Sequence, residues 1–71
     1  MNIIVSGAKN IGEYKAKRAA ILKMAEDILK KYNHGTPDGV YLIKGDLKIL
    51  YTNGDCWIYK STGEALKEDN L

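Results

Sequence analysis

Cysteine, histidine and proline each occur only once in this 71-residue chain. The lone Cys56 has no second cysteine with which to form an internal disulfide, a composition typical of proteins from a reducing compartment. One cysteine and one histidine, His34, are also too few for a tetrahedral zinc site. The composition therefore predicts a cytoplasmic protein that binds no metal.

Long hydrophobic runs and a targeting leader are missing as well. No apolar run is longer than four residues, as in residues 19–22, far shorter than the roughly 20 residues that cross a bilayer. The N-terminus lacks the basic and apolar regions of a secretory signal, so we expect no membrane partner. Because a chain of this length holds only one core, we predict a single domain over residues 1–71, with a frayed tail at about residues 68–71.

No catalytic signature is present. Residues 7–12 have the position and part of the glycine spacing of a phosphate-binding loop, but Glu13 follows in place of the required lysine. Nothing in the sequence brings a base near Cys56, which we expect to pack as a small core residue. No carboxylate pair or hydroxyl–base pair is visible either. We predict a protein that is not an enzyme and needs no cofactor.

The charge is small overall but unevenly distributed. The net charge is +2, with seven Lys or Arg and three acids in residues 1–36, and four and six in residues 37–71. A solvated helix face accounts for most of this excess. If the partner is anionic, the expected contacts are the basic residues of the first half: Lys9, Lys15, Lys17, Arg18 and Lys23.

One long amphipathic helix is predicted from about Ile11 to Asn33. Asn10 is a suitable N-cap and Glu13 stands where a capping box places its acid. Gly35 and the following proline end the helix. Apolar residues at spacings of three and four form one stripe that we expect to face the core: Ile21, Leu22, Ala25, Ile28, Leu29 and Tyr32.

Strand-like runs precede and follow this helix. Residues 2–5 predict a first strand, and residues 40–44, 47–51 and 56–60 predict a three-stranded antiparallel meander. The fold class is therefore α+β, with the helix packed on one face of the sheet. Residues 61–67 predict either a short helical turn or a turn into the tail.

Two-residue turns at Gly45-Asp46 and Asn53-Gly54 would set the register and hence the two faces of the sheet. Tyr51 would then lie opposite Cys56, whereas a one-residue slip or a longer turn at residues 52–55 would exchange the two sets of residues and with them the face that the helix covers. With short turns, the aliphatic face suits the helix: Val40, Leu42, Ile49, Tyr51, Cys56 and Ile58. The other face is a predicted partner-binding surface: Tyr41, Ile43, Lys48, Leu50, Trp57 and Tyr59.

This second face suggests the function, because Tyr and Trp are enriched at binding hot spots. We predict a non-enzymatic protein-binding module that acts by surface occupation, with another protein or a second copy of itself as partner. The alternatives are that the segment around Leu66 covers this face, or that its aromatics and the basic helix bind nucleic acid. In size and architecture the chain is similar to phage and mobile-element proteins that block a host complex, including anti-CRISPR proteins. That analogy implies an inhibitor and assigns no residue a role.

Overall fold

A helix packed against a five-stranded mixed sheet forms the fold, and the computed structural model describes residues 1–68. The predicted α+β class and the order of strand, helix and meander are confirmed. The elements are β1 (Asn2–Ile3), α1 (Ile11–Lys31), β2 (Pro37–Ile43), β3 (Asp46–Tyr51), β4 (Cys56–Tyr59) and β5 (Ala65–Glu68).

The start of α1 is capped as predicted. The Asn10 side chain accepts a hydrogen bond from the Glu13 N–H at 2.8 Å, which satisfies one of the free amides of the first turn. The Glu13 carboxylate in turn accepts from the N–H of Lys9 at 3.3 Å, one residue before the cap. The helix ends at Lys31, two residues earlier than predicted, because Tyr32 is already extended (φ −122°, ψ 143°).

The sheet order follows the chain order, β1-β2-β3-β4-β5. β1 pairs in parallel with β2, and the remaining neighbours are antiparallel. β1 is shorter than predicted, although the Ile4 N–H still donates to the Val40 carbonyl at 2.8 Å. The first strand therefore lies at one edge of the meander.

A fifth strand replaces the predicted helical turn or free tail at the C-terminal end. β5 pairs with β4, with Ala65 opposite Tyr59 and Glu68 opposite Cys56. Gly63 has a φ of +95°, the left-handed conformation that closes a three-residue hairpin loop. Glu68 is thus part of the sheet, whereas residues 69–71 of the predicted frayed tail lie outside the described residues.

The β2–β3 turn differs from the prediction without changing the faces. Its two central residues are Lys44 (φ 51°) and Gly45 (φ 84°), so that Ile43 rather than Lys44 closes the turn, opposite Asp46. Positive φ at both positions is the type I′ geometry that matches the twist of a hairpin. Because the register changes by two residues, every side chain of β2 and β3 keeps its predicted face.

The β3–β4 connection changes the faces of β4. Tyr51 donates its N–H to the Asp55 carbonyl at 2.9 Å, and Gly54 has a φ of +90°. The loop is therefore three residues long instead of two, and Cys56 lies opposite Leu50 rather than Tyr51. This slip of one residue turns the whole strand over.

The core lies between the helix and one face of the sheet. Ile21 and Ala25 of the predicted helical stripe are buried, and Leu22, Ile28, Leu29 and Tyr32 pack around them, so the stripe is confirmed. The helix contacts β1, β2 and β3. The sheet contributes the buried residues Ile3, Val40, Leu47, Ile49, Tyr51 and Tyr59.

Candidate protein-binding surface

The face of the sheet opposite the helix is the candidate site, and we call it the open face. Within residues 1–68 no helix or strand packs over it. The strand registers place ten side chains on this face: Asn2, Tyr41, Ile43, Asp46, Lys48, Leu50, Cys56, Ile58, Leu66 and Glu68.

Exposed aliphatic side chains come from three different strands of the open face. Ile43 of β2 is 42% exposed, Leu50 of β3 38% and Leu66 of β5 42%. Gly39 deepens the apolar surface near Leu50, since a Cβ at this glycine would lie 3.7 Å from a Leu50 methyl and 3.9 Å from an Ile4 methyl. An apolar surface that spans several strands is typical of an interaction site.

A single ion pair crosses the middle of this apolar surface. Lys48 Nζ lies 2.7 Å from Glu68 Oε2, and it also lies over the Tyr41 ring at 5.8 Å from the centroid. The hydrogen bond with Glu68 is the main reason that the pKa of Lys48 is raised, and the same bond is the main reason that the pKa of Glu68 is lowered. Lys48 and Glu68 are therefore held against each other, and Asp46, opposite Ile43, adds a second acidic side chain to the open face.

Cys56 lies beneath this ion pair and is a buried thiol. Its Sγ donates to Glu68 Oε2 at 3.2 Å. Burial, followed by this hydrogen bond, raises the pKa of the Cys56 thiol from 9.0 to about 11. A thiol that stays protonated near neutral pH is a poor nucleophile.

We expect Cys56 to react with a disulfide reagent such as DTNB much more slowly in the folded chain than in urea. At about pH 8 only roughly a thousandth of the thiol would be thiolate, so the native rate should be at least about 100-fold lower and should rise with pH towards 11. Since the folded pKa is above the unfolded one, the associated stabilisation is complete below about pH 9 and is lost as pH rises through 11. A fast native reaction near neutral pH would contradict this environment.

Trp57 and Tyr59 do not belong to the open face, and their predicted place on it is wrong. The one-residue slip at the β3–β4 loop turns both side chains to the helix side. Tyr59 is buried there, and the Trp57 ring stacks on the His34 ring at 3.6 Å between centroids and an interplanar angle of 4°. Conversely, Cys56 and Ile58 were predicted on the helix side and lie on the open face.

The aromatic residues on the helix side form a hydrogen-bonded cluster. A hydrogen bond of 2.7 Å joins His34 Nδ1 and the Tyr59 hydroxyl, and the Tyr59 hydroxyl is also bonded to that of Tyr51. Burial raises the pKa of both tyrosines. The Tyr32 ring also stacks on His34, at 5.3 Å between centroids. The segment that follows α1 thus packs over β4 where the helix no longer reaches.

Trp57 is fixed by this packing rather than by a hydrogen bond. Its indole Nε1 is the one buried side-chain nitrogen or oxygen within residues 1–68 that has no hydrogen-bond partner. A buried indole without a partner is tolerated when ring stacking and apolar contacts compensate. Trp57 therefore contributes to the stability of the fold.

The predicted basic contacts do not converge on the open face. Lys15, Lys17, Arg18 and Lys23 lie on α1, on the opposite side of the sheet, and Lys9 precedes the helix. Lys17 Nζ is already 3.3 Å from Glu13 Oε1 and 3.3 Å from the Gly7 carbonyl.

A groove of about 270 Å³ lies beside Lys17, between α1 and the end of β2. Leu42, which was predicted to pack under the helix, lines this groove and is 38% exposed. Leu42 and Leu50 are thus two leucines of equal exposure on opposite faces of the sheet.

Comparison with protein-family models, curated proteins and solved structures finds no match for this chain. Within residues 1–68 no helix is long and apolar enough to cross a bilayer. No group of three or more His, Cys, Asp or Glu side chains is arranged to hold a metal ion in that same part of the chain.

Proposed function

We propose that this chain is a small, non-enzymatic protein-binding module that acts by occupying a partner's surface with its open face. The observation that supports this most is the spread of Ile43, Leu50 and Leu66, all about two-fifths exposed, over three strands of the sheet. Burial of such side chains stabilises a complex by roughly 25 cal/mol per Å² of apolar surface. The lone cysteine fits a reducing compartment, and we place the protein in the cytoplasm.

The chemistry of the polar side chains supports binding over catalysis. Cys56 lies on the open face, whereas His34 follows α1 and packs on Trp57 on the helix side, so the histidine is not a base for this thiol. The Lys48 and Glu68 side chains neutralise each other at 2.7 Å. A catalytic site needs a nucleophile and a base with a shared reacting position, and the open face supplies apolar contact area instead.

The nucleic-acid alternative has less support once the aromatics are located. Base stacking needs several exposed rings on one surface, and of the predicted residues Tyr41, Trp57 and Tyr59 only Tyr41 lies on the open face. Lys48 is already paired with Glu68, and the basic residues of α1 lie on the other side. By analogy of size and architecture, inhibition of a host complex, as by phage proteins such as anti-CRISPRs, is the role we propose.

The matched pair Leu50 and Leu42 tests this function. The wild-type chain, L50K and L42K are each produced with an affinity tag in the source cells, cross-linked and recovered for mass spectrometry. We expect wild type and L42K to retain the same protein partner, and copies of this chain that carry a different tag count as a partner. L50K should retain at least about tenfold less of that partner, because its lysine would be desolvated in the interface.

Two results of this experiment would contradict the proposal. The first is that L50K retains the partner as well as wild type does. The second is that L42K loses the partner while L50K keeps it. The second result would move the binding site from the open face to the groove beside α1. Because both leucines are 38% exposed, both variants should melt close to wild type, which circular dichroism checks.

A further inference from the structure

We infer that Asn53 is a site of spontaneous deamidation that the folded β3–β4 loop protects. Asn53 is the one asparagine of the chain that precedes a glycine. Gly54 has no side chain to hinder the approach of its main-chain nitrogen to the asparagine carboxamide. This inference concerns the loop and is independent of the function proposed for the open face.

The reaction needs only these two residues and water. The Gly54 nitrogen attacks Cγ of Asn53 and forms a C–N bond, while the Gly54 proton and the carboxamide NH₂ group leave together as ammonia. Water then opens the resulting five-membered succinimide ring at either carbonyl. One product has aspartate at position 53, and the other has isoaspartate, in which the main chain runs through Cβ and Cγ. No oxidant, reductant or cofactor takes part.

The folded loop holds both reacting groups away from this geometry. The Gly54 N–H donates to the Tyr51 carbonyl at 3.1 Å, so the attacking nitrogen is already engaged. The carboxamide is held at both ends, since Asn53 Oδ1 accepts from the Asp55 N–H at 2.8 Å and Nδ2 donates to the His34 carbonyl at 3.4 Å. The loop therefore has to open before the ring can close.

One of these hydrogen bonds favours the reaction when it is considered alone. The Asp55 N–H draws electrons from the Asn53 carboxamide through Oδ1, which makes Cγ easier to attack. The Gly54 N–H is nevertheless directed at the Tyr51 carbonyl, and a polarised Cγ does not react with a nitrogen that points elsewhere. Protection is therefore the larger effect.

The loop is also anchored to a segment outside itself. The Thr52 N–H donates to the Thr36 carbonyl at 2.8 Å, and His34 is fixed by stacking on Trp57 at 3.6 Å. Opening of the loop therefore disturbs the segment after α1 as well, which makes such openings rarer than the fraying of a free loop. Asn53 is exposed, so water reaches the carboxamide as soon as the loop opens.

Neither product fits the folded loop as asparagine does. Aspartate at position 53 places a carboxylate oxygen where Nδ2 lies, 3.4 Å from the His34 carbonyl, so that two acceptors face each other. Isoaspartate lengthens the main chain by one atom in a three-residue loop whose length sets the register of β4. A chain that is modified while the loop is open should therefore refold to a less stable structure.

Peptide mapping by mass spectrometry tests the site and its protection with the purified full chain. The chain is incubated in mildly alkaline buffer, with and without urea. Trypsin cleavage at Lys44 and Lys48 then separates Asn53 from Asn33, an exposed asparagine that precedes a histidine. In urea we expect Asn53 to convert several-fold faster than Asn33. In buffer Asn53 should convert at least about tenfold more slowly than in urea, because opening the loop breaks hydrogen bonds that are together worth this factor.

Either part of this experiment can overturn the inference. Equal conversion of Asn53 in buffer and in urea would mean that the folded loop gives no protection. Equal conversion of Asn53 and Asn33 in urea would mean that Asn53 is not a preferred site.

The variants N53D and N33D test the contact with His34, and they change the charge equally. We expect the equilibrium constant for unfolding of N53D, measured in urea, to be about fivefold larger than that of wild type, the effect of one lost hydrogen bond. N33D should unfold as wild type does, because Asn33 is exposed. An N53D variant as stable as N33D would overturn the protective role of the His34 carbonyl.

Discussion

We expect Trp57→Ala to lower the free energy of unfolding by about 2–4 kcal/mol, somewhat less than the removal of a fully buried aromatic side chain costs, because Trp57 is half-buried. The indole stacks on His34 at 3.6 Å and packs against the core. A domain of this length has a total stability of only about 4–10 kcal/mol. The variant should therefore lose a large part of its stability, measured by urea unfolding followed with far-UV circular dichroism.

Leu50→Ala is the control for this substitution, because it removes an apolar side chain from the open face. Since Leu50 is 38% exposed, its removal should cost less than about 1 kcal/mol. The sequence predicts Trp57 on the partner-binding surface, where its removal would abolish association and leave the stability nearly unchanged. If that result were found, Trp57 would belong to a binding surface and the placement of β4 would be wrong.

We expect Ala25→Lys to leave the chain largely unfolded at 25 °C, with a loss of at least about 4 kcal/mol. Ala25 is completely buried, and it lies on the stripe where α1 packs on the sheet. A lysine at this position places a charge without a partner between helix and sheet. Thermal denaturation followed by circular dichroism measures the effect.

Ala19→Lys provides the matched control on the same helix. Ala19 is exposed, so the same substitution there should change the stability by no more than about 0.5 kcal/mol. If A25K melted at the temperature of A19K, α1 would not pack on the sheet through this stripe.

The helix was predictable because its signals are local. The spacing of Ile21, Ala25 and Ile28 defines one face, and Asn10 with Glu13 defines the start. Both signals operate within one or two turns of the helix, so they need no knowledge of the rest of the fold. The α+β class was predictable for the same reason, because the spacing of the apolar residues changes from a helical period to strand-like alternation after Pro37.

The faces of β4 were not predictable from the alternation alone, because they depend on the length of one loop. Asn53-Gly54 is a strong signal for a two-residue turn. In the structure the Asn53 side chain instead accepts the Asp55 N–H at 2.8 Å, and Gly54 takes the left-handed position of a three-residue loop. Thr52 is fixed as well, through its N–H to the Thr36 carbonyl at 2.8 Å.

The same loop geometry explains why β5 was missed. Thr52-Asn53-Gly54 is followed by an acid, and Ser61-Thr62-Gly63 is followed by Glu64, so both segments have two polar residues, a glycine and an acidic residue. Lys60 donates to the Glu64 carbonyl at 2.8 Å, as Tyr51 does to that of Asp55. The repeated pattern was the signal for a second three-residue hairpin, but the short polar strand after it lacks the alternation that indicates a strand.

The binding surface was consequently predicted only in part. Tyr41, Ile43, Lys48 and Leu50 lie on the open face because the two-residue shift at the β2–β3 turn preserves it. Leu66 and Glu68 were missed with β5, and with them the ion pair of Lys48. The exposed surface is thus more aliphatic and less aromatic than the sequence indicated, which favours a protein partner over stacked bases.

The claim that the open face binds protein is tested most directly by comparing the cross-linked partners that wild type, L50K and L42K retain in the source cells. We expect L50K alone to lose the partner, because Leu50 lies on the open face and Leu42 on the helix side. Equal retention by L50K and wild type, or loss from L42K alone, would contradict the claim.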